Sequence, residues 1–172
     1  MRHGGYDDGY SACSCFWGSQ PGSLVTLLST ILPSVQGLSV LDAGCGEGKN
    51  AIHLARMGAN VHAIDISALA IANARSAWGN QAAVRWEIGD VQESVFASET
   101  FHVVIMYGLL HCLPSEDALL GTLRKLQLAT RVGGFVLICT FNNRNQDLRA
   151  HPDLSPTLLD HSRFLDEFRT WD

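Results

Sequence analysis

The 172-residue chain is long enough for one domain with one core and too short for a second independent unit. With 47% hydrophobic and 17% charged residues and 16 glycines, it is too apolar to stay disordered and too interrupted by glycine for a coiled coil. Twelve Lys and Arg against seventeen Asp and Glu leave a net charge of -5, with the basic residues scattered singly, so the surface offers no footprint for a nucleic-acid backbone.

The chain opens on a Gly- and Ser-rich segment, residues 1–20, that carries Tyr6, Tyr10 and Trp17 and lacks the continuous apolar core of a secretory signal. A helix is predicted from about Ser23 to Leu32. From Leu38 to Phe141 the hydrophobic period then switches repeatedly between short β-branched runs and longer amphipathic stretches, the pattern of βαβ units and a doubly wound parallel sheet. The first strand is Ser39 to Asp42. A helix follows from Lys49 to Met57, ended by Gly58 as a left-handed cap. The second strand is Val61 to Ile64, and Ser67 caps a helix through Ala77. Val84, Trp86 and Ile88 alternate with Arg85 and Glu87 in a third strand with one wetter face.

The fourth strand is His102 to Met106. Pro114-Ser115-Glu116-Asp117 combines a stop, a cap and two acidic first-turn residues, opening a helix whose Leu119, Leu120, Leu123 and Leu126 share one face. Gly133-Gly134 is expected to turn the chain into a fifth strand, Phe135 to Phe141, apolar throughout as a fully covered central strand would be. A polar, Asn-rich loop leads to a last helix near Leu158 to Phe168. The longest apolar runs fall far short of the roughly 20 residues a membrane span needs. The five cysteines are odd in number and lack paired ligand spacing, so reduced structural thiols, no metal and a cytoplasmic location are expected.

The strongest chemical signal is Leu41-Asp42-Ala43-Gly44-Cys45-Gly46-Glu47-Gly48, where the first strand passes into a helix. Alternate glycines permit a sharp turn and close backbone approach of a ligand, and the helix start offers unpaired N–H groups. A dinucleotide fingerprint would need a third glycine where Lys49 stands, which argues against a nicotinamide cofactor. Asp65, at the end of the second strand, can accept both hydroxyls of a ribose.

Asp42, Gly44, Gly46 and Gly48 resemble the first motif of class I S-adenosylmethionine-dependent methyltransferases. Gly89-Asp90-Val91 is similar to that family's adenine-recognition segment, and Phe101 to Tyr107 with Arg131 to Phe135 resembles its later motifs, although Val132 stands where proline is common. Gly48-Lys49-Asn50-Ala51 with Trp17-Gly18 and Pro21 is most similar to the tellurite-resistance and thiopurine-type enzymes. The resemblance implies a Rossmann-like α/β domain over residues 21–172, binding S-adenosylmethionine through Asp42, Gly44, Cys45, Gly46, Asp65, Ile66, Asp90, Val91 and Tyr107. It also implies seven strands, so the five counted here suggest a missing C-terminal antiparallel pair and absent C-terminal residues.

No base tetrapeptide of the exocyclic-amine methylases follows the fourth strand; Met106-Tyr107-Gly108-Leu109 stands there instead. Methylation of DNA is not expected. The acceptor implied is a small thiol, chalcogen oxyanion, amine or hydroxyl, with His111 or Tyr107 as the available base. Tyr6, Tyr10 and Trp17 would close over the site as a lid. The competing reading is a non-catalytic binder of S-adenosylmethionine or S-adenosylhomocysteine. The protein would be a monomer or a homodimer.

Overall fold

A computed structural model of the chain describes residues 5–79, 83–144, 148 and 154–171. Residues 1–4 of the expected lid and most of the Asn-rich loop lie outside the described residues. Helices α1 (Asp7–Ala12) and α2 (Ser23–Ile31) precede β1 (Ser39–Ala43), α3 (Lys49–Arg56), β2 (Asn60–Asp65), α4 (Ala68–Trp78) and β3 (Val84–Ile88). Then come β4 (Phe101–Tyr107), a short 3-10 turn (Leu110–Cys112), α5 (Glu116–Ala129), β5 (Thr130–Cys139) and α6 (His161–Glu167). The five strands form one sheet in the order β3-β2-β1-β4-β5, all parallel.

Each crossover is closed by local chemistry that the sequence encodes. The Ser67 hydroxyl accepts the Ala70 N–H at 3.0 Å to start α4, and Ser115 accepts the Ala118 N–H at 3.2 Å to start α5. Gly58 takes φ +93° after α3. Along the central strands the pleat divides side chains between two cores. Leu41, Val104 and Met106 pack with Leu119, Leu123 and Leu126 on one face, while Val40, Val103 and Ile105 pack with Val25, Ala51 and Leu54 on the other. Both faces are therefore covered, as helices on alternate sides of a parallel sheet require. No helix among the described residues is long and apolar enough to cross a membrane.

Three expectations change. Gly133-Gly134 does not precede the fifth strand but lies inside it: Phe101 pairs with Thr130 and Val103 with Phe135, so two steps along β4 match five along β5. Gly133 at φ +73° carries this bulge, and a Cβ on Gly134 would stand 2.8 Å from the Arg131 carbonyl oxygen. Secondly, β5 ends at Cys139, short of the expected Phe141, and its apolar residues are only half-buried; it is the edge of the five described strands, as the count of five in place of seven implies. Phe168 and Trp171 line a hollow beside its first half, and Leu159 pairs with Asn142 beyond its end. Lastly, the opening segment contains the helix α1, which the low hydrophobicity of residues 7–12 concealed.

Candidate active site

The carboxyl ends of β1, β2, β4 and β5 open onto one cavity of about 660 Å³, within the rough 300–1,000 Å³ span of small-molecule sites. Its floor is the loop after β1. Gly44, Gly46 and Gly48 take φ values of +69°, +53° and +79°, which Cβ-bearing residues rarely adopt. Only one of the three leaves its open side to the cavity. A Cβ on Gly44 would meet the Leu109 side chain at 2.9 Å and one on Gly48 would meet the Trp86 ring at 2.2 Å, whereas at Gly46 the nearest atom is the Tyr10 hydroxyl, 3.0 Å away.

Asp65 ties this loop to β2. Its Oδ2 accepts the Gly46 N–H at 2.7 Å and its Oδ1 accepts the Ser67 N–H at 2.8 Å, so the carboxylate sits in the cavity wall with one lone pair on each oxygen uncommitted. Burial pushes its pKa up, those two N–H groups pull it back, and Asp7 pushes it up further. Ile66, Asp90 and Val91 continue the wall. The Asp90 carboxylate accepts the Gln92 N–H at 2.8 Å, and the Lys125 ammonium spans the carbonyls of Val91, Gln92 (2.9 Å) and Ser94 (3.0 Å), fixing that turn from α5.

Cys45 lines the cavity with a buried thiol pushed upward by desolvation. Asp42 does not line it. Its side chain lies behind the loop, 1% exposed, and neither oxygen has a hydrogen-bond partner. Burial raises its pKa to about 7, offset only in part by the nearby Ala51 N–H and reinforced by Asp65. Placing Asp42 against a ligand is therefore corrected: alternation along β1 points it into the α3 side of the sheet, one residue too early to reach the cavity.

Tyr107 ends β4 and lines the far side with Cys139, its register partner on β5. Burial and the adjacent Cys139 raise the phenol pKa, so the hydroxyl stays protonated and donates more readily than it accepts. His111 lines the same side from the 3-10 turn, almost fully buried. Its Nδ1 accepts the Phe141 N–H at 3.3 Å and lies 3.2 Å from the Thr140 hydroxyl.

The opening segment packs across this cavity. Tyr6, Tyr10 and Trp17 all line it, with Tyr6 and Trp17 edge to face at 5.1 Å. The floor loop holds the segment: Glu47 accepts the N–H groups of Cys15 (3.0 Å) and Phe16 (2.6 Å), and Lys49 donates to the Trp17 carbonyl at 2.8 Å. Cys15 reaches φ +56°, which turns two successive N–H groups toward one carboxylate. Asn73 on α4 donates to both Glu47 (2.9 Å) and the Tyr10 carbonyl (2.9 Å), Ser67 donates to Asp7 (2.6 Å), and Asn50 accepts the Gly22 N–H (2.8 Å).

That Glu47, Lys49, Asn50 and Asn73 hold the opening segment was not expected from the sequence. A charged residue inside a glycine loop was a usable signal for Glu47. Asn73 had none, because an amide on an exposed helix turn is ordinary.

The residues present fit an adenosyl ligand: a bare backbone stretch at Gly46, a carboxylate at the end of β2 and an aromatic-rich enclosure. This sheet order and site define a Rossmann-like domain of the S-adenosylmethionine-dependent methyltransferase class. The chain belongs to the methyltransferase-domain family, whose model matches residues 40–134. It is similar to the malonyl-[acyl-carrier protein] O-methyltransferase of Pectobacterium atrosepticum, 36% identical over 113 residues, 66% of this chain and 42% of that protein. An uncharacterized methyltransferase of Mycobacterium tuberculosis is 32% identical over 102 residues, 59% of this chain and 50% of the relative. The chain thus spans half or less of these relatives. Among solved structures, an S-adenosylmethionine-dependent methyltransferase from Mesorhizobium loti aligns at a TM-score of 0.55 and 26% identity, over 74% of this chain and 53% of its own. Phosphoethanolamine N-methyltransferase 1 of Haemonchus contortus shares the fold at a TM-score of 0.74 and 16% identity, over 96% of this chain and 38% of its own.

Proposed function

We propose that the chain catalyses S-adenosylmethionine-dependent methyl transfer to a small-molecule acceptor. The observation that carries this reading is the single cavity joining Gly46, Asp65 and Asp90 at one end to Tyr107, His111 and Cys139 at the other. In this reading Asp65 accepts the ribose hydroxyls, Asp90 and Val91 border the adenine, and Gly44, Cys45, Gly46 and Ile66 border the rest of the cofactor. The bound cofactor supplies an electrophilic methyl group on a sulfonium.

The chain's own contribution is mainly enclosure and alignment. Residues 1–20 act as the lid, with Tyr6, Tyr10 and Trp17 excluding water and presenting aromatic faces to positive charge. Tyr107 and His111 face the acceptor. Because the Tyr107 phenol is held protonated and the His111 Nδ1 lone pair is engaged by Phe141, both serve better as donors than as bases. An acceptor that already carries a lone pair ready to react, such as a thiolate or an oxyanion, suits this site best. The resemblance of Lys49, Asn50, Trp17 and Gly18 to the tellurite-resistance and thiopurine-type enzymes favours the same soft or anionic acceptors, and the malonyl acceptor in the name of the Pectobacterium relative is compatible with it. The protein would act in the cytoplasm as a monomer or homodimer.

The absence of an arranged base among the described residues also favours a second reading, a binder of S-adenosylmethionine without turnover. Incubation with methyl-labelled cofactor and a panel of thiols, oxyanions and small amines, followed by mass spectrometry, separates the two. A labelled product supports transfer; cofactor binding with no product from any acceptor supports the binder.

A further inference from the structure

The turn after β3 brings Asp90 and Val91 into the cavity wall, together with Gly89 and Gln92. It is anchored at both ends. At its start the Gly89 N–H donates to the Asp65 carbonyl at 2.9 Å, which ties it to the end of β2. At its close the Lys125 ammonium donates to the carbonyls of Val91, Gln92 (2.9 Å) and Ser94 (3.0 Å). An ammonium has three donors, so this one commits all of them to a single turn and keeps none for a carboxylate. Half-burying a cation against carbonyls alone costs desolvation, and the shape of that turn is what the contact secures.

Between the two anchors the turn winds around Asp90. The Asp90 carbonyl accepts the N–H groups of Glu93 (3.0 Å) and Ser94 (2.9 Å) and the Ser94 hydroxyl (2.8 Å), and its Oδ1 accepts the Gln92 N–H at 2.8 Å. Its Oδ2 is approached among the described residues by the Gln92 side-chain amide alone, at 3.4 Å, so this oxygen can take a donor from a ligand. Asp90 thus gathers the N–H groups of the turn and Lys125 its carbonyls, as caps do at the two ends of a helix. The platform under Lys125 is rigid: Leu123 and Leu126 of α5 are fully buried, and Arg124 makes two bonds to Glu167 at 2.7 and 2.6 Å. Lys125 itself is not among the residues that line the cavity.

We propose that Lys125 is a positioning residue for the nucleobase: from outside the cavity it holds the 90–94 turn in the shape that presents Asp90 Oδ2 to an amino group, and so sets a preference for a 6-aminopurine over a 6-oxopurine. This rests on the cofactor reading above and deepens it. A carboxylate only accepts, so it pairs with the exocyclic amine of adenine and opposes the carbonyl of a 6-oxopurine as one acceptor against another. Hydrogen bonds weaken steeply as they bend, so the preference depends on the direction of the Asp90 side chain. Without Lys125 three carbonyls of the turn lose their partner and the turn relaxes, while Gly46, Asp65 and Tyr107 stay on elements that Lys125 does not touch.

Calorimetry with S-adenosylhomocysteine and its deaminated counterpart, S-inosylhomocysteine, tests this. The unaltered protein is expected to bind the adenosyl compound at least about tenfold more tightly, as the loss of one hydrogen bond to a charged group implies. Lys125→Met should weaken the adenosyl compound about tenfold and leave the inosyl compound within about twofold, so that the preference disappears. A role in stability alone would weaken both compounds equally and keep their ratio; that result, or native affinity for both, overturns the inference. Where Lys125→Met does not fold, Lys125→Gln, which leaves an amide in place of the ammonium, is read by the same ratio, and a native ratio again overturns it. Equal binding of the two compounds by the unaltered protein does so too, because Asp90 then reads no amine. Failure of the unaltered protein to bind S-adenosylhomocysteine is a separate outcome, which removes the cofactor reading itself and this inference with it.

Discussion

Replacing Glu47 with glutamine tests whether the floor loop governs closure of the opening segment. The native carboxylate is 6% exposed and accepts three hydrogen bonds, from Cys15 N–H, Phe16 N–H and the Asn73 amide. A glutamine keeps the shape but offers one acceptor oxygen and points an NH₂ group at donors already there. Hydrogen bonds to a charged group contribute about 1.5–3 kcal/mol each, and since these three share one acceptor their loss does not add. A net cost of about 2 kcal/mol to the closed segment is a reasonable central figure, which shifts its opening equilibrium roughly thirtyfold at about 1.4 kcal/mol per decade. Amide hydrogen exchange read by mass spectrometry should then show faster exchange over residues 6–17, whereas the sheet, with its backbone bonds intact, should keep its protection. Cofactor dissociation should accelerate in parallel. If residues 6–17 exchange at the native rate in a folded Glu47→Gln protein, the carboxylate does not hold the segment and the coupling argued from these distances is wrong.

Asp65→Asn should weaken S-adenosylhomocysteine binding about tenfold or more, the worth of one charge-assisted hydrogen bond, because the amide can serve Ser67 or Gly46 but not both and also the ribose; unchanged affinity by calorimetry would remove Asp65 from the ribose site. Asp42 has a folded pKa near 7 against an unfolded value of 3.8, so its contribution to stability is fully present below pH 4 and is lost as pH rises toward 7. Asp42→Asn should lack that decline, a difference of at most about 4 kcal/mol between pH 4 and 8, and denaturant titrations with identical pH slopes for both proteins would refute the assignment. Deleting residues 1–20 should depress turnover far more than it lowers the unfolding midpoint of the sheet; methylation of the same acceptor at an undiminished rate would mean that Tyr6, Tyr10 and Trp17 do not form the lid.

Local rules decided much of this protein from sequence alone. The alternation of short β-branched runs with amphipathic stretches specified a parallel sheet, and Ser67, Ser115 and Gly58 stopped and started helices where their side chains or backbone freedom dictate. The glycine loop and Asp65 were legible for the same reason, since they depend on positions within one βαβ unit. What required the tertiary structure involves partners far apart in the chain. Gly133-Gly134 looks like a turn until β4 is laid beside it, because a bulge exists only relative to a neighbouring strand. The apolar run Phe135 to Cys139 reads as a fully covered strand, whereas in the sheet it is half-buried at the edge of the five described strands. Asp42 and Gly46 lie four residues apart in one motif, yet the pleat buries the first behind the loop and leaves the second facing the cavity. Glu47 reaching Cys15 and Phe16, and Lys49 reaching the Trp17 carbonyl, each across more than thirty residues, have no local periodicity to announce them. Hydrogen bonds and charges act through space at about 3–4 Å, and the sequence records that proximity only after the sheet has brought the loop ends together.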